Sequence, residues 1–310
     1  MESHTPDHFV RSRKVGLFLI LAFGIAWVAS LVFYLLEINL QSLTGAILLV
    51  TFFMWAPAFA AICTQLIYGE SIRDGCGIAL GRIRWIALAW LTPVALIFVA
   101  IGIGSVLPGV SVTTDYAAYL IDAGLSPEEA SEAADVIEAL PGPVILLFVL
   151  QGLVAGLTIN ALAALGEELG WRGLLLTELA PLGFWKLSIF TGVVWGLWHA
   201  PIILQGHNFP EAPIAGIAMM TLATTVIAPI YTYVTVRAQS VLAATLLHGS
   251  FNGLGALTVV YLAGMGNLVI SPVGVVGIGA AGVVIILVLI HDRLIAETPI
   301  TTGSTLDPWE

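Results

Sequence analysis

The sequence predicts an all-α, polytopic integral membrane protein, a bundle of about eight transmembrane helices with both termini cytosolic. Three observations carry this reading. The 310 residues are 59% hydrophobic and 10% charged, with a mean hydropathy of +1.01, more apolar surface than one water-soluble core can hide. The apolar residues form long unbroken runs, unlike the roughly 10-residue alternating segments of a barrel, and helices satisfy their own backbone groups in hydrocarbon. Threaded across a bilayer, those runs leave all ten Lys and Arg residues on one side.

Runs near the ~20 residues that cross a bilayer lie at 15–37, 44–68, 84–107, 144–167, 187–206, 212–236, 239–263 and 269–291. The first follows Arg11, Arg13 and Lys14, as a signal peptide would, but its apolar core is too long and no small-residue cleavage site follows, so it reads as a retained helix. With the N-terminus inside, Arg11, Arg13, Lys14, Arg73, Arg82, Arg84, Arg172, Lys186, Arg237 and Arg293 are all cytosolic, and a miscounted span would put several outside. The chain thus divides into a cytosolic tail over 1–14, a transmembrane domain over 15–293 with its motif core at 144–263, and a tail over 294–310 whose Thr-rich composition predicts disorder.

The net charge of −10 arises largely from 115–138 and from the tail after Arg293. An acidic soluble surface argues against nucleic-acid binding and fits a high-salt habitat or ordinary acidic loops. Within the first stretch, Ser126-Pro127-Glu128-Glu129 starts a short surface helix outside, with Ser as N-cap and Pro at the first position. Cys63, in a span, and Cys76, in a loop, imply neither a disulfide framework nor a Cys-based metal site. Gly277-Ile278-Gly279-Ala280-Ala281-Gly282 matches a dinucleotide fingerprint by letter, yet it lies inside an apolar run with no strand before it, so helix packing explains it.

Ionisable groups in spans are costly and mark functional candidates. Glu167 and Glu168 close the fourth run, with Arg172 one turn beyond; no proline interrupts the stretch to Leu179, so helix should continue and pair Glu168 with Arg172 at i,i+4. Glu167 is rotated by about 100° from Glu168 and is left free. Trp195 lies one turn before His199 and can wall the imidazole off from lipid, while His248 and Asn252 share a face at i,i+4. Singly, each has a structural explanation: a helix-end ion pair, a satisfied packing histidine, a chance spacing. Three helices each bringing groups that lipid rejects would relieve all of them by converging on one cavity. Asn160 fits an interhelical hydrogen bond, Tyr231 and Tyr233 fit interface anchors, and Ser250, with no acid–base pair of its own, fits packing.

The order Glu-Glu-x-x-x-Arg, aromatic-x-x-x-His, His-x-x-x-Asn over 167–252 resembles the family of CAAX proteases and bacteriocin-processing enzymes, which includes type II CAAX prenyl endopeptidases and Abi-type immunity proteins. The resemblance implies that Glu167 and His199 activate a water, that His248 and Asn252 stabilise the oxyanion, and that Glu168 and Arg172 support them. Trp195 stands where the family usually has Phe. Peptide hydrolysis does need a base for water and donors aimed at a tetrahedral oxyanion. A cavity reaching this depth must open to one side, and Arg172 beside the site points to the cytosol.

One Glu and two His, here Glu167, His199 and His248, also match a hydrolytic zinc set, although the His-Glu-x-x-His helix of many zinc proteases is absent. The expectation is one zinc ion for a metallo-type enzyme and none for a glutamate-type one. No Gly-x-Ser-x-Gly or Gly-x-Gly-Asp segment supports a serine or aspartyl protease. The resulting expectation is an intramembrane endopeptidase of a prokaryotic plasma membrane, acting on a peptide or protein at the bilayer, lipidated or not, and not on nucleic acid. Two other readings compete: a catalytically silent scaffold or immunity protein of the same fold, and a proton-coupled transporter, against which no internal repeat is seen.

Overall fold

In a computed structural model that describes residues 9–122 and 124–309, the chain is a bundle of helices with one two-residue strand pair at an end. In order come α1 (Ser12–Leu35), α2 (Leu43–Leu48), a π-helical turn over Leu49–Met54, α3 (Ala56–Tyr68), α4 (Ile72–Gly75) and α5 (Ile83–Gly104). Then follow β1 (Ser111–Val112), α6 (Tyr116–Asp122), α7 (Pro127–Glu138), α8 (Val144–Leu157), α9 (Ile159–Glu168), a second π turn over Leu169–Leu174 and α10 (Leu175–Leu179). The rest is α11 (Gly183–Trp198), α12 (Ala200–Ile203), α13 (Pro213–Ala238), α14 (Val241–Leu254), α15 (Ala256–Tyr261), β2 (Leu262–Ala263), α16 (Asn267–Ile270) and α17 (Val275–Leu294).

Local chemistry sets the ends. Gly69, left-handed, closes α3, Pro213 opens α13 at its first position, and Ser240 caps α14 by accepting from the Leu242 amide. Ser126 and Glu129 form a full capping box on α7, as the sequence indicated, and the Ser126 donors hold the exposed Glu129 carboxyl below its usual range. Of the N-terminal tail expected over 1–14, residues 1–8 lie outside the described residues and 12–14 already belong to α1.

Among the described residues, seven helical segments are long and apolar enough to cross a membrane. The count of about eight differs through the fourth run, which breaks at Thr158 (φ −122°, ψ −104°) into the short α8 and α9. Beyond it the 45-residue apolar stretch Ile159–Ile203 is divided by a 3-10 turn at Ala180–Leu182 and by Gly183 at φ 75°. A glycine is needed there because a side chain rarely tolerates that φ.

Helices approach closely where glycines recur every four residues. Gly166 and Gly170 lie against Met54, Trp55 and Pro57, and Gly192 and Gly196 against the α13 backbone at Thr225 and Thr221. Gly249 and Gly253 of α14 meet Gly156 and Gly152 of α8. In lipid, where association relies on van der Waals packing, such stripes supply the contact. The Gly277–Gly282 run is mixed: Gly277 abuts the Pro272 carbonyl, while Gly282 has open space.

One end of the bundle is ionic. Arg11, just before α1, and Lys14 of α1 bind Glu70 and the buried Glu178 together, with Lys14 Nζ 2.6 Å from Glu70 and 2.9 Å from Glu178. The cations hold the Glu70 carboxyl below its usual range. At the same end the Arg82 amide donates to the Ala238 carbonyl and Arg237 pairs with Asp292. The opposite end consists of the loops 36–42, 105–115, 204–212 and 262–274, tied by the antiparallel pairing of Ser111 with Ala263 and Val112 with Leu262.

The C-terminal stretch 294–309, expected to be disordered, makes specific contacts with the ionic end. Asp292 accepts from the Ile300 and Thr301 amides and the Thr301 hydroxyl, the Leu306 amide reaches Ala180, and the Trp309 indole donates 2.9 Å to Thr177. Composition marked a solvated tail because it does not register a few apolar anchors, Leu306 and Trp309, that find a groove on the ionic end.

Replacing Gly192 by Leu should cost roughly 1–3 kcal/mol, the usual penalty of overpacking, seen as a lower unfolding temperature in detergent, whereas Gly282→Ala leaves it unchanged. Acidification should loosen the ionic end: Glu70 is bound more tightly as a carboxylate than in the unfolded chain, so its contribution is present at neutral pH and lost as pH falls through its lowered pKa. Thermal melts of wild type and Glu70→Gln between pH 7 and pH 3 should converge at the acid end.

Candidate functional site

Seven residues singled out from the sequence meet in the middle of the bundle, drawn from three helical stretches. The stretch through α9 and its π turn contributes Glu167, Glu168 and Arg172, all essentially buried. Residues 195 and 199 come from α11 and its end, and 248 and 252 from α14. The α-helix gives way to π winding immediately after Glu168, the kind of irregularity that recurs at functional sites.

Glu168 is the hub. Arg172 Nη1 donates to both its oxygens at 3.2 and 3.1 Å, the i,i+4 pair the spacing predicted, and His248 Nδ1 lies 2.8 Å from Oε1. The guanidinium is sandwiched between two aromatic faces, its Cζ 4.3 Å from the Trp195 ring centre and 4.4 Å from that of Tyr231. Tyr231, expected at the membrane interface, is fully buried beneath the site. Sequence reasoning missed it because an aromatic near a helix end has the same spacing in either role. Tyr233 is buried too, its hydroxyl 2.6 Å from His291 Nδ1.

Glu167 has a different partner from its neighbour, as the 100° rotation requires. The Trp195 indole donates to its Oε2 at 2.7 Å. Trp195 therefore does more than wall the site: the phenyl ring usual at this position in the resembled family has no N–H to give. Its backbone carbonyl, 2.8 Å from His199 Nδ1, also orients the histidine, whose ring lies 4.8 Å from Trp198.

These contacts assign the tautomers. A carbonyl only accepts, so His199 carries its proton on Nδ1 and leaves the Nε2 lone pair free. His248 likewise directs an Nδ1 proton to Glu168, so that Nε2 accepts in the neutral ring and donates only in the imidazolium. Asn252, one turn further along α14, is exposed on the same cavity. Ser250 is buried against α8 with no hydrogen-bond partner among the described residues, consistent with packing.

Glu167, Trp195, His199, His248 and Asn252 line one cavity of about 430 Å³, and Glu168 and Arg172 do not reach it. They lie beneath its floor. From that floor the cavity runs past Phe53, Ala256 and Val273 to His207, Asn208 and Asn267, in the loops at the end opposite the ionic one. The expected opening beside Arg172 is thus not where the cavity leads, because Arg172 is spent on Glu168 and plugs the bottom. Among the described residues no group of three or more His, Cys, Asp or Glu is arranged to hold a metal ion. Glu167, His199 and His248 line the cavity without forming such a group, so no step below is routed through a metal.

The resemblance drawn from the motifs is borne out. Residues 144–254, which include all seven site residues, match a family model described as type II CAAX prenyl endopeptidase Rce1-like. A stretch of 49 residues is 43% identical to CAAX prenyl protease 2 of Methanococcus maripaludis, covering 16% of this chain and 18% of that relative.

Trp195→Phe keeps the aromatic wall over Arg172 and removes only the hydrogen bond to Glu167. A bond to a charged group contributes about 1.5–3 kcal/mol to stability, so melting should drop by no more than that amount in a variant that still folds, while any turnover that depends on Glu167 should fall roughly 10- to 100-fold. Arg172→Met should instead lower stability by roughly 3–5 kcal/mol, the cost of a buried charge left unpaired, and Glu168→Gln in the same chain should restore part of it.

Proposed function

We propose, proceeding from the match of the motif-bearing segment to type II CAAX prenyl endopeptidases, that this chain is an intramembrane endopeptidase hydrolysing a peptide bond in the cavity above the Glu168–Arg172 pair. The observation that carries the reading is a buried carboxylate, Glu167, fixed by one indole N–H beside two histidines whose Nε2 atoms are left free.

In this reading a water in the cavity gives its proton to Glu167 while the His199 Nε2 lone pair accepts its second hydrogen and aligns it on the scissile carbonyl. The tetrahedral oxyanion that forms is met by the Asn252 amide and by His248. For His248 to donate, its ring must be the imidazolium, and the Glu168 carboxylate at Nδ1 is the counter-charge that supports this form. Glu167 then returns its proton to the leaving amine. Trp195 and Arg172 are positioning residues: the first orients Glu167, and the second, through Glu168, orients His248. The zinc alternative would need Glu167, His199 and His248 to close from their present positions onto one ion, which would supply Lewis-acid activation of the water.

The decisive comparison is cleavage of membrane-peptide substrates by the detergent-purified protein and by Glu167→Gln. Loss of cleavage in a variant that melts normally is expected; full activity would remove Glu167 as base, and no cleavage by either protein would favour a silent scaffold of the same fold. Metal analysis of the same preparations decides the mechanism. About one zinc per chain, lost in Glu167→Gln or His248→Ala, makes these residues ligands, whereas active metal-free protein makes Glu167 the base.

A further inference from the structure

The two ends of this molecule differ in charge, and the cavity leads to only one of them. Helix α1 serves as a ruler. It starts at Ser12 in the ionic end; the Trp198 indole donates to the Ala22 carbonyl, about 15 Å along at 1.5 Å per residue, and Gln205 donates to Ser30, about 27 Å along. The catalytic constellation therefore lies near mid-bilayer. The cavity continues from it past Ile202 to His207 and Asn208, further along the same ruler. The α14 and α17 residues on its wall agree: Asn252 lies toward the α14 end remote from Ser240, and Ser271–Val273 precede α17, whose far end carries Arg293.

Among the described residues, none that lines this cavity belongs to the ionic cluster. There the floor is closed by Arg172 stacked between Trp195 and Tyr231, and beneath it by the Lys14–Glu178 pair and the packed C-terminal stretch. The loops at the cavity's end, 36–42, 105–143, 204–212 and 262–274, contain no Lys or Arg, whereas residues 115–138 alone hold Asp115, Asp122, Glu128, Glu129, Glu132, Asp135 and Glu138. Basic residues in short loops stay in the cytosol during insertion.

We propose that the cavity opens on the face of the membrane away from the cytosol, so that the enzyme acts on a peptide segment already translocated to, or inserted in, that half of the bilayer. This rests on the reading as a peptidase for the word substrate, but the sidedness itself rests only on charge and cavity placement. The class of reaction that supplies the substrate is then one that carries or inserts a peptide across the membrane, and a segment confined to the cytosol would not reach Glu167. The absence of basic groups at this end further disfavours a substrate that presents its own cluster of carboxylates.

The test uses the full-length protein in spheroplasts of a bacterial expression host, in a Cys63→Ala, Cys76→Ser background carrying one new cysteine at a time, with a membrane-impermeant maleimide as probe. Glu132→Cys in the acidic surface helix and Ala256→Cys on the cavity wall should react fully without lysis, and Arg73→Cys at the ionic end only after lysis. The reverse pattern, or a cavity cysteine that reacts only after lysis, overturns the proposal. Peptide added outside right-side-out vesicles should be cleaved without permeabilisation. If the cysteines label as expected and no peptide is cleaved on either side, the peptidase reading fails while the sidedness stands; cleavage only from the cytosolic side overturns the sidedness and leaves the peptidase reading in place.

Discussion

The site depends on one buried charge balance. Glu168 is fully buried, and a carboxylate at that depth is costly unless it is paired and hydrogen-bonded. Arg172 supplies the compensating charge from the next turn of the same element, and the aromatic faces of Trp195 and Tyr231 hold the guanidinium in place. Two of its nitrogens, Nε and Nη2, have no hydrogen-bond partner among the described residues, so the ring faces stand in for missing acceptors. With His248 on the free side of Glu168, this cluster joins the α9 element to α11, α13 and α14 through four side chains.

Packing makes that convergence possible. Charge pairs in hydrocarbon need short, fixed distances, and the three glycine stripes bring the backbones of α3, α8 and α13 close to the elements bearing the site. The two π turns both lie beside the cavity: one provides Leu49, Phe53 and Met54 to its wall, and the other carries Arg172 under its floor. Glu167 and Glu168 precede the second π turn, and the 100° between neighbours on the α-helix already gives them unrelated partners. Glu168 is consumed by structure. Glu167, with a single neutral donor, is left facing the cavity.

The polarity of the bundle completes the arrangement. Salt bridges, capping and the docked C-terminal stretch seal the ionic end, while the end made of strand pair and loops leads to the constellation. Arg172 looked like a pointer to the open side because its position in sequence is the basic boundary of a span. In three dimensions it is a plug, and its charge says which way the helix was inserted, not where solvent enters.

Much of this was legible in the chain. Hydropathy and run length determine an all-α membrane bundle because lipid leaves the backbone no other partner than its own helix. The i,i+4 pairing of Glu168 with Arg172 and the shared face of His248 and Asn252 follow from helical geometry alone, and costly polar groups in apolar runs single out the site. Tertiary structure decided what spacing leaves open: that His248 binds Glu168, that the Trp195 indole reaches Glu167, that Tyr231 lies under the site, that the fourth run breaks at Thr158, and that Leu306 and Trp309 anchor the tail. Nearly all of these are contacts between residues far apart in sequence, set by how helices are rotated and how closely glycines let them approach, and a periodicity within one segment carries no information about the segment it meets.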